Sequence, residues 1–216
     1  MLKIALIGAS GFVGSALLKE SLERGHSVKA IVRHPEKITV TDPNLEVKQG
    51  DVLVPGSVEK LVAGVDVVIS AYNPGWTNPN IVPETTQGYK SIIEGVKKAG
   101  IPRMLIVGGA GSLFVSPHAR VMDTGTIPES YLPAVRALAD VLYSLHKTEK
   151  GLDWVYFSPA GTIAPGQRTA SYRLGKDDMI VNKEGVSNIS VEDYAVAMIN
   201  EAETPDHHQE RFTIGY

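Results

Sequence analysis

The first fourteen residues constrain the fold more than any other part of this chain. An apolar run, Met1–Ile7, leads directly into Gly8-Ala-Ser-Gly11-Phe-Val-Gly14. A buried parallel strand has a continuous apolar run of this kind. A helix-compatible stretch, Ser15–Arg24, follows the glycines. The pattern predicts a strand, a tight glycine turn and a helix whose N-terminus can bind the phosphates of a dinucleotide.

The three glycines have different expected roles. Gly8 permits the tight turn, Gly11 lets the backbone approach a pyrophosphate, and Gly14 allows the helix to pack closely on the strand. The alternative is a turn that is merely structural, since loops are generally rich in glycine. The residues of this turn that we expect to bind the cofactor are Gly8, Ser10, Gly11, Phe12, Val13 and Gly14.

Composition excludes several function classes. The chain has 216 residues, no cysteine and a net charge of -3. The lack of cysteine excludes disulfides, cysteine nucleophiles and thiolate metal sites, and we expect no bound metal. The weak negative charge gives no general attraction to nucleic acid or anionic membrane. No signal peptide or membrane span is predicted, so a cytoplasmic location is the expectation, and a homodimer stays open.

Strand-like and helix-like segments alternate along the chain, which predicts an α/β fold. We expect one Rossmann-like domain over residues 1–216, with a doubly wound parallel sheet covered by helices on both faces. A small C-terminal elaboration is expected from about residue 159 to 216, where the rhythm changes. Its expected elements are strands at Ser171–Leu174, Met179–Val181 and Arg211–Ile214 and a helix at Ser190–Glu201.

Glycines at i, i+3 and i+6, at the start of the chain, are similar to those of the atypical and extended short-chain dehydrogenases/reductases. Further matching segments are Gly50-Asp51-Val52, Ser70-Ala71-Tyr72-Asn73, Val107-Gly-Gly-Ala-Gly-Ser112 and Ser158-Pro159-Ala160. Together they resemble the group of NmrA-like proteins, flavin/biliverdin reductases and bacterial proteins provisionally named NADH-flavin reductases. The resemblance implies an oxidoreductase that binds a nicotinamide cofactor.

The resemblance also implies roles for residues at the strand ends. Asp51, followed by Val52, would lie beside the adenine, although Asp51 could equally cap the nearby helix. The residues that would border the ribose and nicotinamide are Ala71, Tyr72, Gly108, Gly109, Ser158, Pro159 and Ala160. Ser112 occupies the position of the family's catalytic serine. It would bind substrate there, or else only satisfy backbone groups of its loop.

The end of the second predicted strand favours NADP over NAD. An NAD site usually has an acidic residue there to bind the ribose 2′-hydroxyl. This chain has Arg33 and His34 at that point, and the nearest acid is Glu36. A guanidinium suits a 2′-phosphate, and Ser10 could add a hydroxyl. The alternative is that Arg33 is a solvated surface residue, and NAD is not excluded.

Most members of the superfamily protonate carbonyl substrates with a tyrosine and a lysine in the spacing Tyr-x-x-x-Lys. This chain contains that spacing once, at Tyr143 and Lys147. The apolar stripe of their helix is expected at Val135, Leu138, Leu142 and Leu145. Tyr143 and Lys147 lie off that stripe, toward solvent, and too close to Pro159. We therefore expect no such catalytic pair.

Three functions follow from these residues. The leading one is an NADPH-dependent oxidoreductase that transfers hydride to a flavin, quinone or similar conjugated small-molecule acceptor, since such acceptors need no protein acid. The second is a non-catalytic NADP(H)-binding redox sensor that acts through a protein partner. The third is a sugar-nucleotide epimerase or dehydratase, which would require a working Tyr143 and Lys147.

Overall fold

A central sheet of eight strands organises the computed structural model, which describes residues 1–216. The order across the sheet is β10-β12-β8-β5-β4-β1-β2-β3. All of these strands run parallel except β10, which pairs antiparallel with β12. The twelve strands of the chain are β1 Lys3–Ile7, β2 Ser27–Val32, β3 Leu45–Gln49, β4 Val67–Ser70, β5 Arg103–Val107, β6 Phe114–Ser116, β7 Ala119–Arg120, β8 Asp153–Ser158, β9 Thr162–Ala164, β10 Arg173–Gly175, β11 Asn188–Ser190 and β12 Glu210–Gly215.

Five helices cover both faces of this sheet, which confirms the predicted doubly wound α/β class. They are α1 Phe12–Glu23, α2 Ser57–Val62, α3 Ile81–Lys98, α4 Leu132–Thr148 and α5 Val191–Glu203. One apolar core lies under α1 and α5 and includes Leu17, Phe157 and Tyr194. The other lies under α2, α3 and α4 and includes Ile92 and Leu145. The central strands are buried from both sides, as their continuous apolar runs require.

The structure departs from the sequence-based expectations in several places: the strand expected at Ser171–Leu174 begins only at Arg173, and β6, β7, β9 and β11 were not expected. The sequence predicts this helix at Glu84–Lys98, whereas helix α3 begins at Ile81. Pro83 lies in its first turn, where the missing N–H costs no helical hydrogen bond. The strand predicted at Met179–Val181 is wrong. There an isolated bridge forms instead: the Met179 N–H donates to the Phe114 carbonyl and the Phe114 N–H donates to the Asp177 carbonyl, each at 2.8 Å. Ile180 packs over Gly175 and Gly215.

The C-terminal segment is built into the main sheet. It supplies β10, β12 and α5, and a small parallel pair, β9 with β11, precedes that helix. Strands β6 and β7 form a hairpin in the segment between β5 and α4. No helix of the chain combines the length and apolar character needed to cross a membrane.

A buried ionic cluster closes the amino edge of the sheet. Arg103, the first residue of β5, donates to Asp153 at the start of β8 and, at 2.5 Å, to Glu201 of α5. The same guanidinium reaches the carbonyl of His207 at 3.2 Å, and the His207 ring lies 2.7 Å from the second Glu201 oxygen. This cluster, which also includes His208, joins two central strands to the C-terminal helix. We refer to it as the Arg103 cluster.

Candidate functional site

The glycine turn after β1 has the geometry that its sequence predicts. Gly8 has a φ of +82°, and a Cβ there would lie 2.6 Å from the carbonyl oxygen of Ala71. A Cβ on Gly14 would lie 2.0 Å from the carbonyl oxygen of Gly8. Gly11 has more room, since its nearest neighbour would be 3.3 Å away. Only glycine fits at Gly8 and Gly14, whereas a side chain on Gly11 would make one close contact, with the carbonyl oxygen of Gly8.

The N-terminus of α1 is free to bind an anion. Gly11 caps this helix without a side-chain hydrogen bond, and its first turn contains no acidic residue. Ser10, Gly11 and Phe12 are exposed beside it. The first N–H groups of a helix carry partial positive charge and seek acceptors. The turn therefore fits the pyrophosphate of a dinucleotide.

The strand order places this turn at the switch point of the sheet. Strand β1 lies between β2 and β4, so the chain crosses to opposite sides of β1 after the first and third strands of the fold. A crevice forms outside the carboxyl ends of the strands at such a point. Ala71 and Tyr72 follow β4 there, directly against the Gly8 turn.

Tyr72 forms a fixed wall of this crevice. Its hydroxyl donates to the carbonyl of Glu84 at 3.1 Å, and its own carbonyl accepts from the Tyr89 hydroxyl at 3.1 Å. Gly88 makes room for the ring, since a Cβ there would lie 2.3 Å from it. Burial, and next the charge of Glu84, raise the pKa of the Tyr72 hydroxyl to about 12. Tyr72 is thus neutral at ordinary pH.

Arg33 and Asp51 lie at the same edge as Tyr72. Their charges act in opposite directions on the pKa of the Tyr72 hydroxyl: Arg33 lowers it and Asp51 raises it. Arg33 is exposed immediately after β2. One Asp51 carboxylate oxygen accepts from the Leu53 N–H at 2.9 Å, so this side chain organises its own turn. Val52 is buried beside it.

The remaining predicted cofactor residues end β5 and β8, which are neighbours in the sheet. The Gly108 N–H donates to the Phe157 carbonyl at 2.8 Å, and the Gly109 N–H donates to the Tyr156 hydroxyl at 3.1 Å. Ser158 ends β8, and Pro159 and Ala160 follow it, all three buried. The Ser158 hydroxyl is buried without a hydrogen-bond partner. A buried hydroxyl of this kind ordinarily has a partner, which a bound group can supply.

Ser112 makes a contact that its sequence position did not reveal. Its side chain is buried, with the residue 2% exposed, and its hydroxyl accepts from Arg211 of β12 at 2.9 Å. Arg211 also donates to the Asp177 carboxylate at 2.9 Å. The hydroxyl thus satisfies a distant side chain and not its own loop backbone. A catalytic role for Ser112 stays a prediction. No local pattern marks Arg211, which lies 99 positions away.

Tyr143 and Lys147 lie on the outer face of α4, as the sequence predicts. Tyr143 is 37% exposed and Lys147 is exposed too. The Arg120 guanidinium lies 5.5 Å from the centre of the Tyr143 ring. Of the expected stripe, Leu142 and Leu145 are buried; Val135 and Leu138 are half-buried beside the glycines of the β5 loop.

Sequence reasoning did not single out Trp76, which the structure places in the loop after β4. Its ring contacts that of Tyr131, with 5.8 Å between centroids and an interplanar angle of 81°. Both residues are exposed, at 51% and 43% respectively. The available signal was a tryptophan inside Ala71–Pro83, a stretch without any charged residue.

Comparisons with known proteins agree with this geometry. A family model described as NAD(P)H-binding matches residues 8–202. The protein YwnB of Bacillus subtilis strain 168, named uncharacterized, is 39% identical over 216 residues, 99% of this chain and 98% of its own.

Two solved structures cover nearly the whole chain. One, from Bacteroides thetaiotaomicron and provisionally named an epimerase, is 58% identical with a TM-score of 0.93, over 99% of this chain and 96% of that one. The other, from Streptococcus pneumoniae TIGR4 and provisionally named an NADH-flavin reductase, is 32% identical with a TM-score of 0.85, over 100% and 99%.

Proposed function

This chain belongs to the NAD(P)H-binding family, and we propose that it is an NADPH-dependent reductase that transfers hydride to a flavin, quinone or similar conjugated acceptor. The placement of Tyr143 and Lys147 on the outer face of α4 carries the choice of acceptor. Reduction of an isolated ketone creates an alkoxide and needs a positioned acid. A conjugated acceptor delocalises the incoming charge and can take its proton from water.

The proposed cofactor contacts follow from the described edge of the sheet. The N–H groups at the start of α1 would bind the pyrophosphate, where Gly11 leaves room for it. Asp51 would lie at the adenine and Arg33 at the 2′-phosphate. Ala71, Tyr72 and Ser158 would border the nicotinamide, with the unpartnered Ser158 hydroxyl available to its carboxamide.

In the proposed reaction the cofactor and the protein have different roles. The nicotinamide supplies a hydride when bound, and a proton from water completes the two-electron reduction of the acceptor. The protein orients the two rings and keeps water from between them. Tyr72 suits the second task, because its protonated hydroxyl is fixed on Glu84 and its ring forms a rigid wall.

Arg33 tests the choice of NADP. The substitution Arg33→Ala removes a charge-assisted contact to the 2′-phosphate worth roughly 1.5–3 kcal/mol, so NADPH affinity should fall by about 10- to 150-fold. NADH affinity should change little, because its ribose hydroxyl is no anion. Arg33→Asp should favour NADH by repelling the phosphate and accepting from the hydroxyl. Fluorescence titrations of both cofactors measure this. Equal losses for the two cofactors, or none for either, would contradict it.

Turnover tests the choice of acceptor. We expect the protein to oxidise NADPH in the presence of FMN, riboflavin or small quinones, followed by absorbance in stopped-flow assays. Tight binding that distinguishes NADP from NADPH without any turnover would favour the redox sensor instead. The provisional name of the Bacteroides structure favours an epimerase. That activity would have to collapse in Tyr143→Phe, whereas the proposed reductase should keep its rate.

A further inference from the structure

Trp76 and Tyr131 form an exposed aromatic pair, which we call the Trp76–Tyr131 pair. Large aromatic side chains are usually buried, because each removes a large apolar area from water on folding. Here both rings stay about half exposed, although they touch edge to face at 5.8 Å. This contact leaves part of each ring surface open to solvent. An exposed aromatic surface with fixed geometry is suited to bind a ligand.

The position of the pair connects it to the proposed nicotinamide site. Trp76 follows β4 by a short loop that begins with Ala71 and Tyr72. Tyr131 is the residue before α4. The first turns of that helix pack on the loop after β5, where Val135 lies within 2.1 Å of the position that a Gly111 Cβ would take. The pair therefore joins the loop after β4 to the start of α4, the helix that packs on the loop after β5.

The surroundings of Trp76 restrict the chemistry of a ligand. Residues 71–83 contain asparagines, prolines and apolar side chains but no charged group. Two asparagine side chains are already engaged within the loop: Asn73 accepts from the Gly75 N–H at 2.7 Å, and Asn78 donates to the Glu84 carboxylate at 2.8 Å. The loop thus offers an aromatic surface with few free polar groups. Such a surface selects a flat, uncharged ring system and not an anionic or strongly hydrated ligand.

We propose that the Trp76–Tyr131 pair binds the planar ring of the hydride acceptor by stacking, and so determines which acceptors this protein reduces. This inference rests on the proposed function, because it assigns the acceptor side of the same crevice. The pair is not required to transfer a proton or an electron. Its role is to hold a conjugated ring where the nicotinamide can reach it.

Trp76 can report directly on the inference. The chain has two tryptophans, and the other, Trp154, is 1% exposed in the core. In Trp154→Phe, fluorescence excited at a wavelength where the eight tyrosines absorb little comes from Trp76 alone. Menadione, an uncharged planar quinone, would be titrated in the presence of NADP⁺, so that binding occurs without turnover. We expect saturable quenching in Trp154→Phe and little saturable change in Trp76→Phe.

Substitution tests the contribution of stacking. Trp76→Leu keeps an apolar side chain but removes the ring, and aromatic contacts are worth roughly 0.5–1.5 kcal/mol beyond area, so menadione should bind about 2- to 12-fold more weakly. NADPH affinity should stay within about twofold of the wild type, since the change leaves the cofactor contacts in place. Tyr143→Leu is the matched control, since Tyr143 is another half-exposed ring on the outer face of α4.

The outcomes separate this inference from the proposed function. Saturable quenching of Trp76 without any reduction of quinone or flavin would support the stacking site and overturn the reductase. Reduction with equal menadione affinity in the wild type, Trp76→Leu and Tyr143→Leu would overturn the stacking site and leave the reductase standing. A lower melting temperature in Trp76→Leu with unchanged menadione affinity would also overturn it, because the pair would then only join two loops.

Discussion

At the scale of single residues, the glycine turn shows that one motif contains two kinds of constraint. A side chain on Gly14 would collide with the backbone of Gly8 at 2.0 Å, so this glycine is required by the fold itself. Gly11 has a φ of -79° and only a marginal neighbour at 3.3 Å. Packing therefore restricts Gly11 less than Gly14, and we propose that the pyrophosphate of the cofactor accounts for the glycine at position 11.

A pair of alanine substitutions separates the two constraints. Gly14→Ala should destabilise the protein by about 1–3 kcal/mol, because backbone must shift to admit the methyl group. Gly11→Ala should cost about 1 kcal/mol or less, as a poorer helix cap, yet should weaken NADPH binding clearly. Urea denaturation and cofactor titration give the two quantities. Equal stability losses in both variants would show that Gly11 is also a packing residue.

Residues with local signals could be predicted, and those with distant partners could not. The Gly8 turn could be placed from its own sequence, since a strand, a turn and a helix are consecutive. The buried partner of Ser112 could not, because Arg211 comes from the last strand of the sheet. Trp76 lies between these cases. Its uncharged loop was visible in the sequence, but its contact with Tyr131 depends on how α4 packs.

At the scale of elements, helix α5 shows how one carboxylate can organise a whole segment. Ser190 caps this helix by accepting from the Asp193 N–H at 3.0 Å. The Asp193 side chain does not return to Ser190. It accepts from the N–H groups of Thr169 and Ala170 and from the Tyr216 hydroxyl, at 2.7 to 2.8 Å. The loop before β10 and the last residue of the chain are both held by this buried group.

Substitution of Asp193 should therefore destabilise the protein in a pH-dependent manner. Burial alone would raise the pKa of Asp193, but hydrogen bonds from Thr169, Tyr216 and the backbone outweigh it and lower the pKa below the usual 3.8. The stability this shift supplies is present above that usual value and is lost as the pH falls through the folded value. Asp193→Asn should cost about 1–3 kcal/mol at pH 7.

A control variant and unfolding measurements at several pH values test the prediction for Asp193→Asn. Asp140→Asn changes an exposed carboxylate on α4 and should leave stability within about 0.5 kcal/mol of the wild type. The difference in unfolding free energy between the wild type and Asp193→Asn should narrow as the pH is lowered from 5 toward 3. A difference that stays constant over that range would mean that packing, and not the ionised carboxylate, matters at this position.

Elements that follow from a local apolar pattern could be predicted from the sequence. Strands β1, β5 and β8 are continuous apolar runs, and α4 has its apolar residues at helical spacing. The segment Met179–Val181 has the apolar content of a strand but forms no ladder, because its only backbone link is the Met179 N–H, which donates to Phe114 of a hairpin that the sequence did not reveal. Whether a segment forms a strand depends on the strand it pairs with, and the β6–β7 hairpin was not predicted.

At the scale of the whole molecule, Arg211 of β12 forms a salt bridge with Asp177, which follows β10, and a hydrogen bond with Ser112 in the loop after β5. Arg211 is almost fully buried, with its side chain 4% exposed, whereas Asp177 is 58% exposed. The guanidinium bonds to Asp177 on one side and to Ser112 on the other. The two partners are therefore unequal. Loss of Asp177 leaves a buried charge, while loss of Arg211 leaves a carboxylate that water can solvate.

Because Arg211 is buried and Asp177 is exposed, variants of the two residues should differ in stability. Asp177→Ala should destabilise the protein by about 2–4 kcal/mol, because the Arg211 charge stays buried without its counter-ion. Arg211→Met should cost less, since it removes that charge and keeps an apolar stem of similar length. The double variant should resemble Arg211→Met alone. Denaturant unfolding measures all three, and a larger loss in Arg211→Met than in Asp177→Ala would refute the argument.

The Arg103 cluster lies at the amino edge of the sheet, a full strand length from the loops that carry the proposed chemistry. This separation has a consequence for how the sequences of homologous proteins diverge. On the proposed function, selection for a different acceptor would act on residues such as Trp76, whereas the attachment of α5 to the sheet depends on Arg103 at the other edge. Substitutions that change acceptor specificity should therefore have little effect on the free energy of unfolding. We expect homologous proteins to drift widely in the loop after β4 and slowly around Arg103.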